Sequence, residues 1–323
     1  MRKIFTLIMF GLCWLLTFSW SAHELFTYLL VKDFLPNAEK LIKITPYDYT
    51  EKRIYNREFL RLDDYCGEFI TACPLTNTCY LPPDPKPVDG KVPVWQILMV
   101  YSVEPDLGMD EGLQLSSLQS IIGNSQGVRH MKYNIAIFEF FEGTQSFYYF
   151  VEMSRQAFMK GDEYWGYRFL ARALHHLQDL SMPYHNAPGG FFDTLRALTD
   201  KQMAQVLSNS HYSYDEYLAY LLYQYDQDAV TAIKQAQPLN TRHLRQLIQK
   251  VRWLGLSNID GVDRQLRKIY GESLKERALT TSDYSAHEDE LEELKGITIN
   301  IISKFSSLVR GFLIDFLKEV GQI

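Results

Sequence analysis

Residues 165–190, WGYRFLARALHHLQDLSMPYHNAPGG, constrain the fold more than any other stretch of this chain. Phe169, Leu170, Ala173, Leu174 and Leu177 recur at helical spacing, and no Gly or Pro interrupts the run from Tyr167 to Met182. Residues four apart on a helix lie on one face, one turn above the other, so His175 and Asp179 are side by side. Pro183 then limits the helix, and His185 follows two residues later, where the chain can turn it back toward the same place. The outcome is His-x3-Asp-x5-His: two imidazoles and one carboxylate leaving one helix end. A surface ion pair is the simpler account of a His–Asp pair at this spacing. The helix is apolar on both sides of the pair, however, which points to the interior, where an unpaired charge is costly. A metal ion resolves that cost by accepting the carboxylate and the neutral imidazole together.

The chain around this helix is globular in composition: 323 residues, 46% hydrophobic and 22% charged, enough for one large domain or two small ones. Residues 1–19, MRKIFTLIMFGLCWLLTFS, have the form of a secretory signal. Arg2 and Lys3 lead an apolar run at 4–16 that is short for a membrane span, and Thr17 and Ser19 are small residues at the cleavage positions. An uncleaved anchor is the alternative. A cut after Ser19 takes two of the 33 basic side chains with it, leaving 31 against 39 acidic ones, and no basic stripe is visible. Tight electrostatic binding of duplex nucleic acid therefore finds no support, although metal ions could supply local positive charge for a nuclease. Cys13 leaves with the signal. Cys66, Cys73 and Cys79 remain in one loop-like region, where export favours a disulfide and three thiols leave one over. Residues 81–90, LPPDPKPVDG, are a loop.

At residues 173–188, ALHHLQDLSMPYHNAP, the chain resembles the core helix and following loop of the zinc-dependent phospholipase C and single-strand-specific nuclease superfamily. That family carries His-x3-Asp-x5-His with a Pro two residues before the last His; here those positions are His175, Asp179, Pro183 and His185. Residues 157–161 and 164–174 also resemble the family's entry into this helix.

The resemblance implies an all-α fold, a multi-helix bundle with a trinuclear zinc cleft. In this chain it would carry a loop-rich insertion at about 60–93 and a helical C-terminal extension at about 225–323. In the family, the amino group and carbonyl oxygen of an N-terminal Trp bind zinc together with a His at the start of the first helix. A cut after Ser19 makes Trp20 that terminus, and His23 is the matching histidine. A cut after Ala22 would instead expose His23 itself, able to chelate through amine and imidazole. An Asp ligand in an acidic turn matches Asp106 after Pro105, with Asp110 as its rival, and the next ligand matches His130. A His-x3-acid pair on a later helix matches His211 and Asp215. The family's pattern would thus place Asp106, His130, His175 and Asp179 on one ion, and Trp20 and His23 with Asp179 bridging on a second. His185, His211 and Asp215 would hold the third. In this reading Asp106 orients or deprotonates the attacking water.

The implied activity is phosphoester hydrolysis after export to the periplasm or beyond. One expectation is a phospholipase C acting on phosphatidylcholine-like lipids at a membrane surface. Another is a nuclease or nucleotidase acting on single-stranded nucleic acid or nucleotides. The Tyr184–His185 loop resembles some phospholipases, whereas Asp215 and the long connection at 186–210 resemble the nucleases. A non-enzymatic binding protein that kept the fold is a third. Of the remaining histidines, His176 points about 100° away from His175 and reads as packing or an outer support. His243 and His287 read as surface residues. Ile301, Ile302, Phe305, Leu308, Val309, Phe312, Leu313, Phe316 and Leu317 form an apolar helical stripe, read as a final helix packed on the body or, alternatively, in contact with lipid.

Overall fold

A computed structural model describes residues 22–49, 89–106, 113, 115, 126–135, 138–241 and 243–323. The expected signal at 1–19, Trp20, Asp110, Cys66, Cys73 and Cys79 lie outside the described residues, as does residues 60–88 of the expected insertion. The α-helices, in chain order, are α1 (His23–Val31), α2 (Val94–Val100), α3 (Gln126–His130), α4 (Gly143–Met159), α5 (Glu163–Asp179), α6 (Pro183–Asn186), α7 (Phe191–Ala197), α8 (Lys201–Tyr223), α9 (Gln227–Lys234), α10 (Leu244–Tyr270), α11 (Ser273–Glu276), α12 (Thr281–Ala286) and α13 (Glu292–Glu319). Strand among the described residues amounts to two antiparallel pairs, each strand three residues long. β1 (Leu41–Lys43) pairs with β2 (Lys91–Pro93) in the register Ile42 to Val92, and β3 (Tyr133–Ile135) pairs with β4 (Phe138–Phe140) in the register Asn134 to Glu139. The protein is all-α.

Helix α5 is the axis of the molecule. Every residue from Tyr164 to Asp179 is buried, which a helix achieves only when other elements surround it. Its start is fixed by Asp162, whose side chain accepts from the Trp165 backbone N–H at 3.3 Å and from Thr45 Oγ1 and Tyr49 at 2.7 and 2.8 Å. Helix α4 lies along it, and Gly166 makes the close approach feasible: a Cβ there would fall 2.6 Å from the Phe158 ring. Between the two helices Gly161, at φ +78°, reverses the chain in a conformation that L side chains rarely adopt.

Such a buried helix must account for its charged groups. Arg168 Nε donates to Glu104 Oε1 at 3.0 Å and Arg172 Nε donates to Glu104 Oε2 at 2.7 Å. The Arg168 guanidinium also lies 4.0 Å over the Tyr101 ring and 4.3 Å over Trp165. Burial alone would raise the Glu104 carboxyl pKa, but the two guanidinium groups outweigh it and hold it below its ordinary value. This clamp fixes the 3-10 turn at Tyr101–Val103 against α5.

The last helix, α13, packs on α10, α9 and α1. The nine residues of its apolar stripe are all buried, and at about 1.5–3 kcal/mol per buried large side chain the contact dominates its stability. Helix α13 has the length and composition to cross a membrane, yet 61% of its most apolar window is buried inside the protein. Arg310 anchors it by donating to the carbonyls of Leu30, Lys234 and Ala236 at 2.7–3.3 Å.

Candidate metal centre

Six segments deliver the donor groups. His23 is the first residue of α1, Asp106 follows the turn held by Glu104, and His130 ends α3. His175 and Asp179 occupy the last turn and a half of α5, as their spacing requires. His185 sits not in a loop but in the single turn of α6, with Pro183 at its first position, where a missing N–H costs nothing. His211 and Asp215 lie one turn apart on α8. All are buried except Asp106, whose side chain is 23% exposed.

Asp106, His130, His175 and Asp179 converge as a four-donor cage. His175 Nε2 is 3.0 Å from His130 Nδ1, 3.1 Å from Asp179 Oδ2 and 3.4 Å from Asp106 Oδ1. His130 Nδ1 is 2.9 Å from Asp179 Oδ2 and 3.5 Å from Asp106 Oδ1. These are five of the six edges of a tetrahedron. Ligands at zinc–nitrogen distances of about 2.0–2.1 Å from a central ion stand about 3.3–3.4 Å apart, so the cage has the size of a tetrahedral metal site.

His23 joins from the other side. Its Nε2 is 3.5 Å from Asp179 Oδ1 and 3.7 Å from Asp106 Oδ2, and its ring centroid is 3.9 Å from that of His175. Donor atoms of His23, Asp106 and His175 lie within 4.8 Å of one another. A third group forms on α6 and α8: Asp215 Oδ2 is 3.4 Å from His185 Nε2 and 3.3 Å from His211 Nε2. Asp215 Oδ1 and His211 Nε2 are buried without a hydrogen-bond partner among the described residues. The buried clusters of His and Asp could therefore hold metal ions.

Backbone and amide groups fix which nitrogen each ring presents. Carbonyl oxygens only accept, so the 2.8 Å contact from His175 Nδ1 to the Ser102 carbonyl puts the proton on Nδ1 and aims the Nε2 lone pair into the cage. Gln178 Nε2 donates to Thr27 Oγ1 at 2.8 Å and turns its Oε1 to His23 Nδ1 at 2.6 Å; with the amide oxygen on that side, Nδ1 carries the proton. His185 Nδ1 donates to the His130 carbonyl at 3.4 Å, leaving Nε2 toward Asp215. The lone pairs of His175 and His23 thus face carboxylate oxygens. In a dry interior that arrangement calls for a cation between them.

Electrostatics agree. Burial by itself raises the Asp179 carboxyl pKa, but His175, His185 and the His130 hydrogen bond outweigh it and hold it well below the usual carboxylate range. Asp215 is lowered in the same way, by His211 and His185 against burial. Burial, aided by His175, lowers His23 and favours its neutral, ligand-competent form. Burial also disfavours charge on His185, but Asp179 and Asp215 outweigh it and raise that pKa.

The structure brings together His23, Asp106, His130, His175, Asp179, His185, His211 and Asp215. His176, read as packing or an outer support, is stacked on Phe150 and still places a ring nitrogen within 4.8 Å of donor atoms of His130, His175 and Asp179. His243 is exposed, and His287 pairs with Glu290 at 2.9 Å on the surface. Three supports escaped the sequence reading: Gln178, the Ser102 carbonyl and the Glu104 clamp. One signal was available, since Arg168, Arg172, His175, His176 and Asp179 recur at helical spacing through an apolar helix and mark a polar stripe pointing inward. No family model matches the chain, and comparison with curated proteins and with solved structures returns no match.

Proposed function

We propose that this chain is an exported zinc-dependent hydrolase of phosphoesters, a phospholipase C-like enzyme that cleaves phosphatidylcholine-like lipids. The observation that carries the reading is the four-donor cage with edges of 2.9–3.5 Å, flanked by two further His–Asp groups. Imidazole and carboxylate donors without thiolate, at tetrahedral spacing, suit zinc. Asp106, His130, His175 and Asp179 would hold one ion; His23, with Asp179 shared and Trp20 in the family's pattern, a second; His185, His211 and Asp215 a third. Bound there, zinc would neutralise phosphate charge and bring a water's pKa to about 7.

The chain's own residues divide the remaining work. Ser102 and Gln178 hold His175 and His23 in the tautomers that turn Nε2 inward. Asp106 is the one carboxylate of the set open to solvent, so it is the group that can reach an incoming water and accept its proton at a carboxylate oxygen. Glu104, two residues earlier and clamped by two arginines, keeps that carboxylate from swinging away.

A single-strand nuclease or nucleotidase is the second reading, and Asp rather than Glu at position 215 favours it. Elemental analysis of the purified mature protein, run beside parallel assays on phosphatidylcholine and single-stranded DNA, separates the readings. The expected result is more than one zinc per chain, lipid hydrolysis, and loss of activity in chelator. DNA hydrolysis without lipid hydrolysis selects the second reading. Full activity in chelator with no bound transition metal overturns both.

A further inference from the structure

Away from the metal centre, α10, α13 and the segment joining α9 to α10 enclose a groove of about 880 Å³. That is within the usual range of small-molecule sites, roughly 300–1,000 Å³. Its floor is apolar: Leu254 and Leu308 are buried there, and Leu239 and Trp253 form its rim at 49% and 66% exposure. The rim segment is held in place rather than draped. Leu239 N–H donates to the Ser307 carbonyl at 2.8 Å, and Arg310 holds the Ala236 carbonyl at 2.7 Å. A Cβ at Gly311 would fall 2.3 Å from the Leu239 carbonyl oxygen, so this seating needs a glycine.

The charge of the groove is opposite to that of the chain. The protein carries a formal charge of −6, yet no Asp or Glu lines this groove, while Lys250 from α10 and Lys304 from α13 both do. Neither lysine pairs with a carboxylate among the described residues. An apolar trough with a large exposed indole and two cations on opposing helices complements a molecule with an acidic head and an apolar tail. We propose that this groove binds a single-chain anionic amphiphile, its carboxylate or phosphate between Lys250 and Lys304 and its tail along Trp253, Leu254 and Leu308. The site is separate from the His–Asp clusters and does not rest on the hydrolase reading.

Trp253 supplies the probe. Trp95 and Trp165 are buried, so among the described residues Trp253 is the tryptophan open to a soluble quencher. Laurate, monoacyl glycerol phosphate and dodecanol are titrated below their micelle concentrations into the full mature protein, with acrylamide quenching read at each step. A Trp253→Phe variant assigns the signal. Laurate or the monoacyl phosphate should protect Trp253 saturably, and whichever binds tighter identifies the head group. Dodecanol should bind at least several-fold more weakly. Lys250→Gln with Lys304→Gln should weaken the acidic ligand roughly three- to tenfold, as expected for two exposed ion pairs, and leave dodecanol unchanged. Both lysines reach solvent, and an unchanged circular dichroism melt verifies folding. Equal affinity for laurate and dodecanol, or no effect of the double substitution, overturns the proposal. So does protein concentration protecting Trp253 without any ligand, since a second copy would then be the occupant.

Discussion

Gly255→Ala tests how the fold positions His185. In a helix interior this change ordinarily stabilises, by up to about 1 kcal/mol, because Gly is the poorer helix former. At Gly255 the opposite sign is expected. A Cβ there would fall 2.6 Å from Asn186 Nδ2 and 2.8 Å from the Met182 carbonyl oxygen. Asn186 Nδ2 donates to the carbonyls of Leu180 and Met182 at 2.7 and 2.9 Å, and these bonds close the turn that carries His185. Overpacking costs about 1–3 kcal/mol, and loosening one of those bonds about 1 kcal/mol more. After the helix-propensity gain, a net loss of roughly 1–3 kcal/mol remains, or a few degrees in Tm for a chain of this size. Gly296→Ala in α13 is the matched control: its Cβ would meet nothing within 4 Å, so the propensity gain should appear undiminished. Calorimetry on both variants should give Tm shifts of opposite sign, and metal content should fall only in Gly255→Ala. A Gly255→Ala protein as stable as wild type, with full metal content, would refute the argument that α10 seats the His185 turn.

Asp106→Asn should keep the fold, since the side chain is partly exposed, and lose roughly a hundredfold or more in turnover; Asp110→Asn should behave nearly as wild type, and the reverse pattern would exchange their roles. Gln178→Leu should weaken zinc affinity roughly 10–100-fold by releasing His23, measured by competition with a chromogenic chelator, and a value equal to wild type would remove Gln178 from the site. Thr280→Ala should cost about 0.5–2 kcal/mol by breaking the reciprocal cap that begins α12, read by urea unfolding. Its partner Asp283 is held below its ordinary pKa chiefly by the Arg277 hydrogen bond, so its contribution is present above the unfolded value near about 4 and lost as pH falls through the folded one. Asp283→Asn should therefore lower stability at neutral pH and converge on wild type in acid; a constant deficit down to low pH would contradict that.

The helices α5 and α13 were legible because helical periodicity is a local property, and α5 shows it in five apolar residues; the all-α class as a whole came from the resemblance. His175 and Asp179 were legible for the same reason: spacing of four fixes their relation within one helix. His23, Asp106 and His130 are different. Nothing local says that residues 23, 106 and 175 meet, and only a resemblance suggested it; their convergence depends on α1 and the Glu104 turn both packing on α5. The supports were harder still. The Ser102 carbonyl is backbone and leaves no trace in residue identity, and Gln178 looks like an ordinary helix residue until Thr27 is known to face it. His176 shows the limit of angular reasoning: it points away from His175, but the ring reaches the cluster because His130 arrives on its side of the helix.

Asp179 divides its two oxygens between different sets of rings: Oδ2 faces His130 and His175, and Oδ1 faces His23 at 3.5 Å and His185 at 3.6 Å. A carboxylate shared in this way makes the four imidazoles one thermodynamic unit. Proton uptake measured at any of them belongs to the set, and its apparent midpoint is macroscopic. Substitutions on the two sides will not sum: once one ring is gone, Asp179 turns toward those that remain, and the second loss costs a different amount from the first. In a double-mutant cycle between His23 and His185, which both face Asp179 Oδ1, the coupling energy reports on that shared side chain.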